Sequence, residues 1–336
     1  MSEGARRILE SLREVTDGTC SGEGLSSQLG VSRAQVWKHV SALRKRGYTI
    51  EGAPGGGYRL ISAPDKLYAD EITRGLTSQW LGQRIEHFDE TDSTNRVAAG
   101  LAREGAAHGT AVIAESQTAG RGRLGRSFFS PPQSNLYTSI VLRPSLDTAS
   151  APTLLLAAGI AVAETVMEEL GEEAADLEIK WPNDVLLGGL KTSGVLMELE
   201  AEENRVSHAI LGIGVNLNVG RDEFPEEFRN RATSLRAHSG RLIDRVAFTR
   251  RLFEKLENIL DEHEKGGLDR LRPRFDAHFH MLGRRITVAE INGQSVEGIA
   301  AGVAPNGALL LDRPSGERLE LLAGDVTICK DPPSKE

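Results

Sequence analysis

Apolar residues recur at helical spacing near the start of the chain. Ile8, Leu9, Leu12 and Val15 predict a first helix ending near Asp17-Gly18. Leu25 and Leu29 mark a short second helix stopped by Gly30, and Ser32 caps a third whose buried stripe is Val36, Val40 and Leu43. The turn between helices two and three, Gly30-Val31-Ser32, is short and carries a glycine, as in a helix-turn-helix. After Gly47, residues 48–51 and 58–61 read as two strands joined by the glycine-rich segment 52–57. Residues 1–63 therefore read as a winged helix-turn-helix, with Ala63-Pro64-Asp65 as the linker.

The pattern then changes. Strands are predicted over 84–88, 110–115, 136–142, 178–180, 185–187, 191–200 and 206–213, and helices over 95–104 and 153–170, the latter strongly amphipathic. Many strands on tight turns with few helices predict α+β with a mixed sheet over 64–280, not a strict βαβ repeat. A helix over 244–264 carries Phe248, Leu252, Leu256 and Ile259 on one face, the pattern of plain core packing. A small β domain follows over 281–336, with hairpin signals at Asn292-Gly293 and Asn306-Gly307.

Composition changes this picture little: 336 residues, 39% hydrophobic and 26% charged, exclude a disordered or fibrous chain. The longest apolar run, ten residues over 154–163, is half of what a spanning helix needs. The N-terminal stretch interleaves charges with apolar residues, unlike a signal peptide. Cys20 and Cys329 lie far apart with no metal or redox spacing, which fits a reduced cytoplasmic setting. Charge matters more. The net −8 conceals +3 over residues 1–62 and −11 over the rest, with five bases and no acid between Val31 and Ile50. One module is built to meet a polyanion and the body is not. The helical stripe leaves Arg33, Gln35, Lys38, His39 and Arg44 facing outward, with Ser32 at the helix start, the polar and basic face that a DNA-reading helix needs. A solvated basic face is the plainer alternative.

Four segments carry candidate chemistry. Gly120-Arg121-Gly122-Arg123-Leu124-Gly125-Arg126 contains GxGxxG, but a strand and not a helix follows, which argues against a dinucleotide fold. Glycines admit a ligand close to the backbone, and three guanidiniums clamp phosphate or carboxylate. Gly188-Gly189 reads as a hairpin turn opening the strand that carries Lys191, a point charge of interest only beside the arginine loop. Lys180-Trp181-Pro182-Asn183-Asp184 is a strand running into a fixed bend, whose Asn and Asp can simply serve the turn. Asp92-Ser93-Thr94-Asn95 precedes a helix; it caps the helix or offers free N–H groups to an anion or a ureido-type oxygen.

In order, the winged helix, Ser93-Thr94-Asn95, Gln117 ahead of the arginine loop, the 180–184 bend, and Gly194-Val195-Leu196-Met197-Glu198 behind Lys191 closely resemble the bifunctional biotin–protein ligase and biotin operon repressor family, over nearly the whole chain. The resemblance implies a central ligase domain, an SH3-like β barrel at the C-terminus, and formation of biotinyl-5′-AMP from biotin and ATP with Mg²⁺. It implies transfer of biotin to a lysine of biotin carboxyl carrier protein, with no enzyme nucleophile and no resident metal. By position, Ser93, Thr94, Asn95, Gln117, Arg121, Gly122, Arg123 and Lys191 match the biotin site. Arg121, Arg123, Phe128, Asp184, Lys191 and Asn216 match the nucleotide site, and Arg123 and Lys191 the catalytic cations. Phe128 stands where some relatives have a Trp stacking on adenine, and Leu124 where an arginine is frequent. Operator DNA and a homodimer formed when adenylate is bound are implied partners. A lipoate-type ligase, a monofunctional ligase with a relic DNA module, and a non-catalytic sensing repressor are the alternatives.

Overall fold

The computed structural model describes residues 1–15, 18–53, 56–290 and 293–328. Asp17, the Pro54-Gly55 wing tip, Asn292, Cys329 and Lys330 lie outside the described residues. The chain divides into two compact units, Met1–Lys66 and Leu67 onward.

In the first unit, helix α1 (Glu3–Glu14) starts at Ser2, α2 (Gly22–Leu29) at Ser21 and α3 (Arg33–Lys45) at Ser32; each serine hydroxyl accepts a backbone N–H of the first turn. Gly30 closes α2 at φ +67°, a conformation that glycine enters without strain. Strands β1 (Thr49–Ala53) and β2 (Gly57–Ser62) pair antiparallel, with Ile50 opposite Leu60. Ile8, Leu9, Leu12, Leu25, Val36, Val40, Leu43, Tyr48 and Ile50 form one buried cluster. Each aliphatic member contributes about 1.5–3 kcal/mol. One expectation needs correction: α1 stops at Glu14, and Val15 lies past the end, 38% exposed.

The second unit opens with α4 (Ala69–Thr73), β3 (Ile85–Phe88), α5 (Thr94–Arg103), β4 (Ala111–Ala114), β5 (Leu136–Leu142) and α6 (Thr153–Leu170). The run β6 (Leu177–Lys180), β7 (Asp184–Leu187), β8 (Leu190–Glu202) and β9 (Arg205–Val215) follows, then α7 (Glu226–Arg229), α8 (Leu235–Ser239) and α9 (Arg245–Asp276). Seven strands form one sheet in the order β3-β4-β5-β9-β8-β7-β6; only β3 and β4, joined through α5, run parallel. Strand alternation sorts the core. Val112, Val141 and Ile210 pack with Ala98 and Ala102 of α5, while Ala111, Ile113, Ile140 and Leu211 pack with α6 and α9. Helix α6 is buried on nearly every side, from Leu154 to Val166, so it is a core helix and not the amphipathic one expected. Helix α9 breaks at Gly266-Gly267, and Phe248, Leu252, Leu256 and Ile259 are fully buried in its first part.

The chain ends in β10 (Arg285–Ala289), β11 (Ser295–Val303), β12 (Leu309–Asp312), β13 (Arg318–Leu321) and β14 (Asp325–Ile328), an antiparallel sheet in the order β13-β12-β11-β10-β14. The small β domain is as expected, but β13 and β14 stand at opposite edges of the ladder, so the described strands do not close into a barrel. Among the described residues no helix is long and apolar enough to cross a membrane.

Candidate functional site

Glycines clear a trough on the sheet. Gly214 of β9 lies opposite Gly194 of β8 and Tyr137 of β5, and Gly212 opposite Leu196 and Ser139. A Cβ at 212 would fall 2.1 Å from Asn95 Oδ1, and one at 214 would fall 2.5 Å from the Phe128 ring. The bare backbone is therefore what lets the α5 N-terminus and the Phe128 ring descend onto the sheet. The recess so formed is lined by Ser93, Thr94, Asn95, Gln117, Arg121 and Phe128, among others.

Its polar end is a connected network. Thr94 offers its backbone N–H and its hydroxyl to Gln117 Oε1, at 2.9 and 3.1 Å. Gln117 Nε2 donates to Ser130 Oγ at 3.0 Å. Ser139 Oγ lies 2.7 Å from Thr94 Oγ1 and 2.6 Å from Asn95 Oδ1, and Asn95 Nδ2 donates to Glu198 Oε2 at 2.8 Å. Ser93 and Thr94 are buried and neutral, suited to a polar uncharged head group. Burial pushes the Tyr137 phenol well above its ordinary range, so it stays protonated beside the recess.

The charged end is the loop between β4 and β5. Leu124 sits at φ +56° and Gly125 at +73°; a left-handed leucine, half exposed, costs on the order of 1 kcal/mol or more. Every cation here has a holder. Arg121 Nη1 lies 3.5 Å from Glu198 Oε1. Arg123 donates to Asn183 Oδ1 at 3.0 Å and to the Gly324 carbonyl at 3.1 Å, and Arg126 pairs with Asp325 at 2.5 Å. Desolvation pulls the Arg123 pKa down against the pull of Asp184 and Asp325. Burial would raise the Asp325 carboxyl, but the Arg126 hydrogen bond and charge outweigh it and hold the pKa below the usual range. Lys191, two residues past the Gly188-Gly189 turn and its two positive φ angles, pairs with Asp184 at 2.6 Å. A Cβ at Gly194 would meet Lys191 Nζ at 2.9 Å and a Phe128 ring carbon at 3.5 Å. The ammonium and the ring thus share one glycine at the edge of the recess.

The structure therefore gathers Ser93, Thr94, Asn95, Gln117, Arg121 and Phe128 at the recess, with Lys191 and Asp184 at its Gly194 edge. Gly122 lines the outer side of the loop and not the recess. Asn216 is buried, and its carboxamide bonds to Asn135 and Thr233, so a ligand contact there requires exchange of those bonds. Ser139, Ser130, Asn183 and Glu198 join the site without having been singled out from sequence as side chains of it.

The first unit carries its own corrections. Arg44 is exposed as expected, but it is not free: it donates twice to the Ile50 carbonyl, at 2.9 and 2.7 Å, and ties α3 to the wing strand. His39 packs onto α1, where a Cβ at Gly4 would lie 2.5 Å from its Nε2. The Ser32 hydroxyl is used as a cap. Arg33 is exposed and pairs with Glu23, while Gln35 and Lys38 are exposed as expected. Trp37, between them, was missed; its side chain is 59% exposed. An aromatic residue one position off the Val36–Val40 stripe is the sequence signal for it.

Residues 87–216 match the Biotin/lipoate A/B protein ligase family, residues 5–59 an HTH domain and residues 281–328 the Biotin protein ligase C terminal domain. The chain is 37% identical to the bifunctional ligase/repressor BirA of Bacillus spizizenii, over 96% of this chain and 97% of that one. It is 35% identical to the Escherichia coli protein of the same name, over 87% and 88%. The structure of the Aquifex aeolicus biotin protein ligase in complex with biotin and ATP superimposes with a TM-score of 0.62 at 28% identity, covering 74% of this chain and all of that one. With the recess, the arginine loop and the helix-turn-helix unit described above, these likenesses lead to one assignment: the chain belongs to the bifunctional biotin–protein ligase/repressor family.

Proposed function

We propose that the chain joins biotin to ATP as biotinyl-5′-AMP, then passes biotin to a lysine of biotin carboxyl carrier protein, and that its winged helix binds operator DNA to repress transcription. The observation that carries the ligase reading is a neutral polar recess ending against a cluster of cations. The recess residues Ser93, Thr94, Asn95 and Gln117 take the head group. The carboxylate reaches the other end, where one of its oxygens attacks the α-phosphorus of ATP and the bond to pyrophosphate breaks. The carrier lysine amine then attacks the anhydride carbonyl and AMP leaves. Two anions must meet, so catalysis is chiefly electrostatic. Arg121, Arg123 and Lys191 supply that charge, Phe128 a face for the adenine, and Asp184 the grip that orients Lys191. Mg²⁺ would arrive with the nucleotide as MgATP and would supply charge neutralisation at the phosphates. The reaction is set in the cytoplasm. The test is transfer of biotin to purified carrier domain, read by avidin blot, with each substrate omitted in turn. Label without ATP, or none with all substrates present, overturns the reading.

Among the described residues Arg123 hydrogen-bonds a neutral amide and a carbonyl, and Asp184 and Asp325 attract it without a hydrogen bond, so an anhydride phosphate offers it a charge-assisted bond it lacks. Arg123→Gly is expected to release the adenylate early, seen as free biotinyl-adenylate and stray lysine labelling; equal retention would contradict its role.

On the DNA side, Trp37 stands beside Lys38 on the outward part of α3. An exposed indole there suits apolar contact with a thymine methyl. Trp37→Ala is expected to weaken binding to the duplex upstream of the biotin genes by about tenfold, leaving ligase turnover unchanged. Unaltered binding removes Trp37 from the interface. Two-fold operator symmetry calls for a dimer. Sedimentation is expected to show more dimer with adenylate than without; an identical monomer fraction contradicts that coupling.

A further inference from the structure

A cavity of about 410 Å³ lies between α9, the start of α6 and the segment after β5, sharing no lining residue with the recess. The size is that of a small-molecule site. Leu142, Leu146, Leu154 and Leu260 form an apolar floor. Trp80 forms a fixed wall: its backbone N–H donates to Glu257 at 2.8 Å, its indole Nε1 donates to Asp261 Oδ1 at 3.1 Å, and its ring meets His108 at 4.2 Å.

Acceptors gather on the α9 side of this floor, at Asp261, His263 and Glu264. The Thr153 hydroxyl donates to the Ser150 carbonyl at 2.5 Å, so at 2.7 Å its oxygen receives the Nε2–H of His263. Burial holds His263 neutral. Its Nδ1 is therefore an acceptor, on a residue only 3% exposed that lines the cavity, and it makes no hydrogen bond among the described residues. Asp261 and Glu264 stand three residues apart on the same face of α9, and Glu264 makes no hydrogen bond among the described residues. The cations nearby are committed. The Arg143 guanidinium donates to the Ala102 and Ala106 carbonyls at 2.8 and 3.0 Å, and its backbone N–H donates to His108 Nδ1 at 2.9 Å; burial lowers the pKa of that ring against the pull of Glu264 and Asp261.

The geometry points to a second ligand site, distinct from the ligase recess, for a protonated amine on an apolar or aromatic body. The ammonium faces Asp261, Glu264 and His263 Nδ1, with the Trp80 ring beside it, and the body rests on the four leucines. A carboxylate or phosphate of the same shape meets the Asp261 and Glu264 carboxylates, while the Arg143 guanidinium is turned to the Ala102 and Ala106 carbonyls, so the anion is disfavoured.

Calorimetry on the full chain saturated with biotin tests this, with 2-phenylethylamine as probe and 3-phenylpropionate as its anionic counterpart. The amine is expected to bind saturably at one site and the acid not at all. The double variant Asp261→Asn/Glu264→Gln, which keeps the side-chain shapes, is expected to bind the amine about tenfold more weakly or worse. As a second readout, Trp80→Phe is expected to lose an amine-dependent change in tryptophan fluorescence. No saturable binding, equal affinity for the acid, or unchanged affinity in the double variant overturns the proposal.

Discussion

Lys191→Ala is expected to slow biotin adenylation by about 10²–10³-fold while biotin affinity stays close to that of the parent chain. The asymmetry follows from placement. Lys191 does not line the head-group recess, where Thr94, Asn95, Ser139 and Gln117 hold one another. Its ammonium stands instead at the Gly194 edge, paired with Asp184 and next to the Phe128 ring. Charge builds there only as carboxylate and α-phosphate approach, so its loss is felt in kcat and not in ground-state binding. Asp184 keeps the ammonium from swinging into solvent, at the cost of some of its positive potential. Biotin-dependent pyrophosphate exchange measures the rate and calorimetry the affinity. Unchanged turnover removes Lys191 from the reaction; a parallel loss of biotin binding makes it a ground-state contact.

A second large effect is expected in the buried support of the site. Arg245 is fully buried and donates to Glu115 Oε2 at 3.0 Å and to the Asn135 carbonyl at 3.1 Å. Glu115 also faces His87, at 3.3 Å, and accepts the Leu67 N–H at 2.7 Å. These residues stand at the two ends of the excursion that carries Gln117 and the arginine loop. Arg245→Met leaves a buried carboxylate short of its cation and is expected to cost about 3–5 kcal/mol of stability. Adding Glu115→Gln to it is expected to recover part of that loss, the signature of a coupled pair. Burial alone would raise the Glu115 carboxyl, but the His87 hydrogen bond, the Arg245 charge and the Leu67 N–H outweigh it and hold the pKa below the ordinary range. A depressed folded pKa gives stability that is full above the unfolded carboxylate value, about 4.3, and lost as pH falls through the folded one. Urea unfolding between pH 7 and pH 3 is expected to show this acid loss in the parent and less of it in Glu115→Gln. Equal acid slopes would show that the pair contributes nothing to it.

Local rules made much of this legible. The Ser32 cap, the Gly30 stop and the Gly188-Gly189 turn are decided within a few residues, and the structure places them where spacing predicts. The helix over 153–170 has the right bounds but the wrong solvation, because α9 covers the side that periodicity alone assigns to water. Orientation on α3 fails for a similar reason: a helical wheel gives a direction, not what α1 or the wing puts there, so His39 and Arg44 read as free when they are engaged. The Glu115–Arg245 pair spans 130 positions and has no local signal. The glycine trough did leave one, since Gly212 and Gly214 are two apart in a strand, where only a close approach rewards the missing side chains. What stayed hidden is that each cation of the loop arrives with its own partner, Glu198, Asn183 or Asp325, set by register and by the C-terminal strands.

In the proposed reaction a neutral recess and a cation cluster act on one bond. Mass detection of the species formed when the chain, biotin and MgATP are mixed without carrier protein tests it most directly. Biotinyl-5′-AMP bound in equal molar amount to the enzyme, with pyrophosphate released and the yield collapsing in Lys191→Ala, is the predicted result. Intact ATP and biotin beside a correctly folded chain would contradict it.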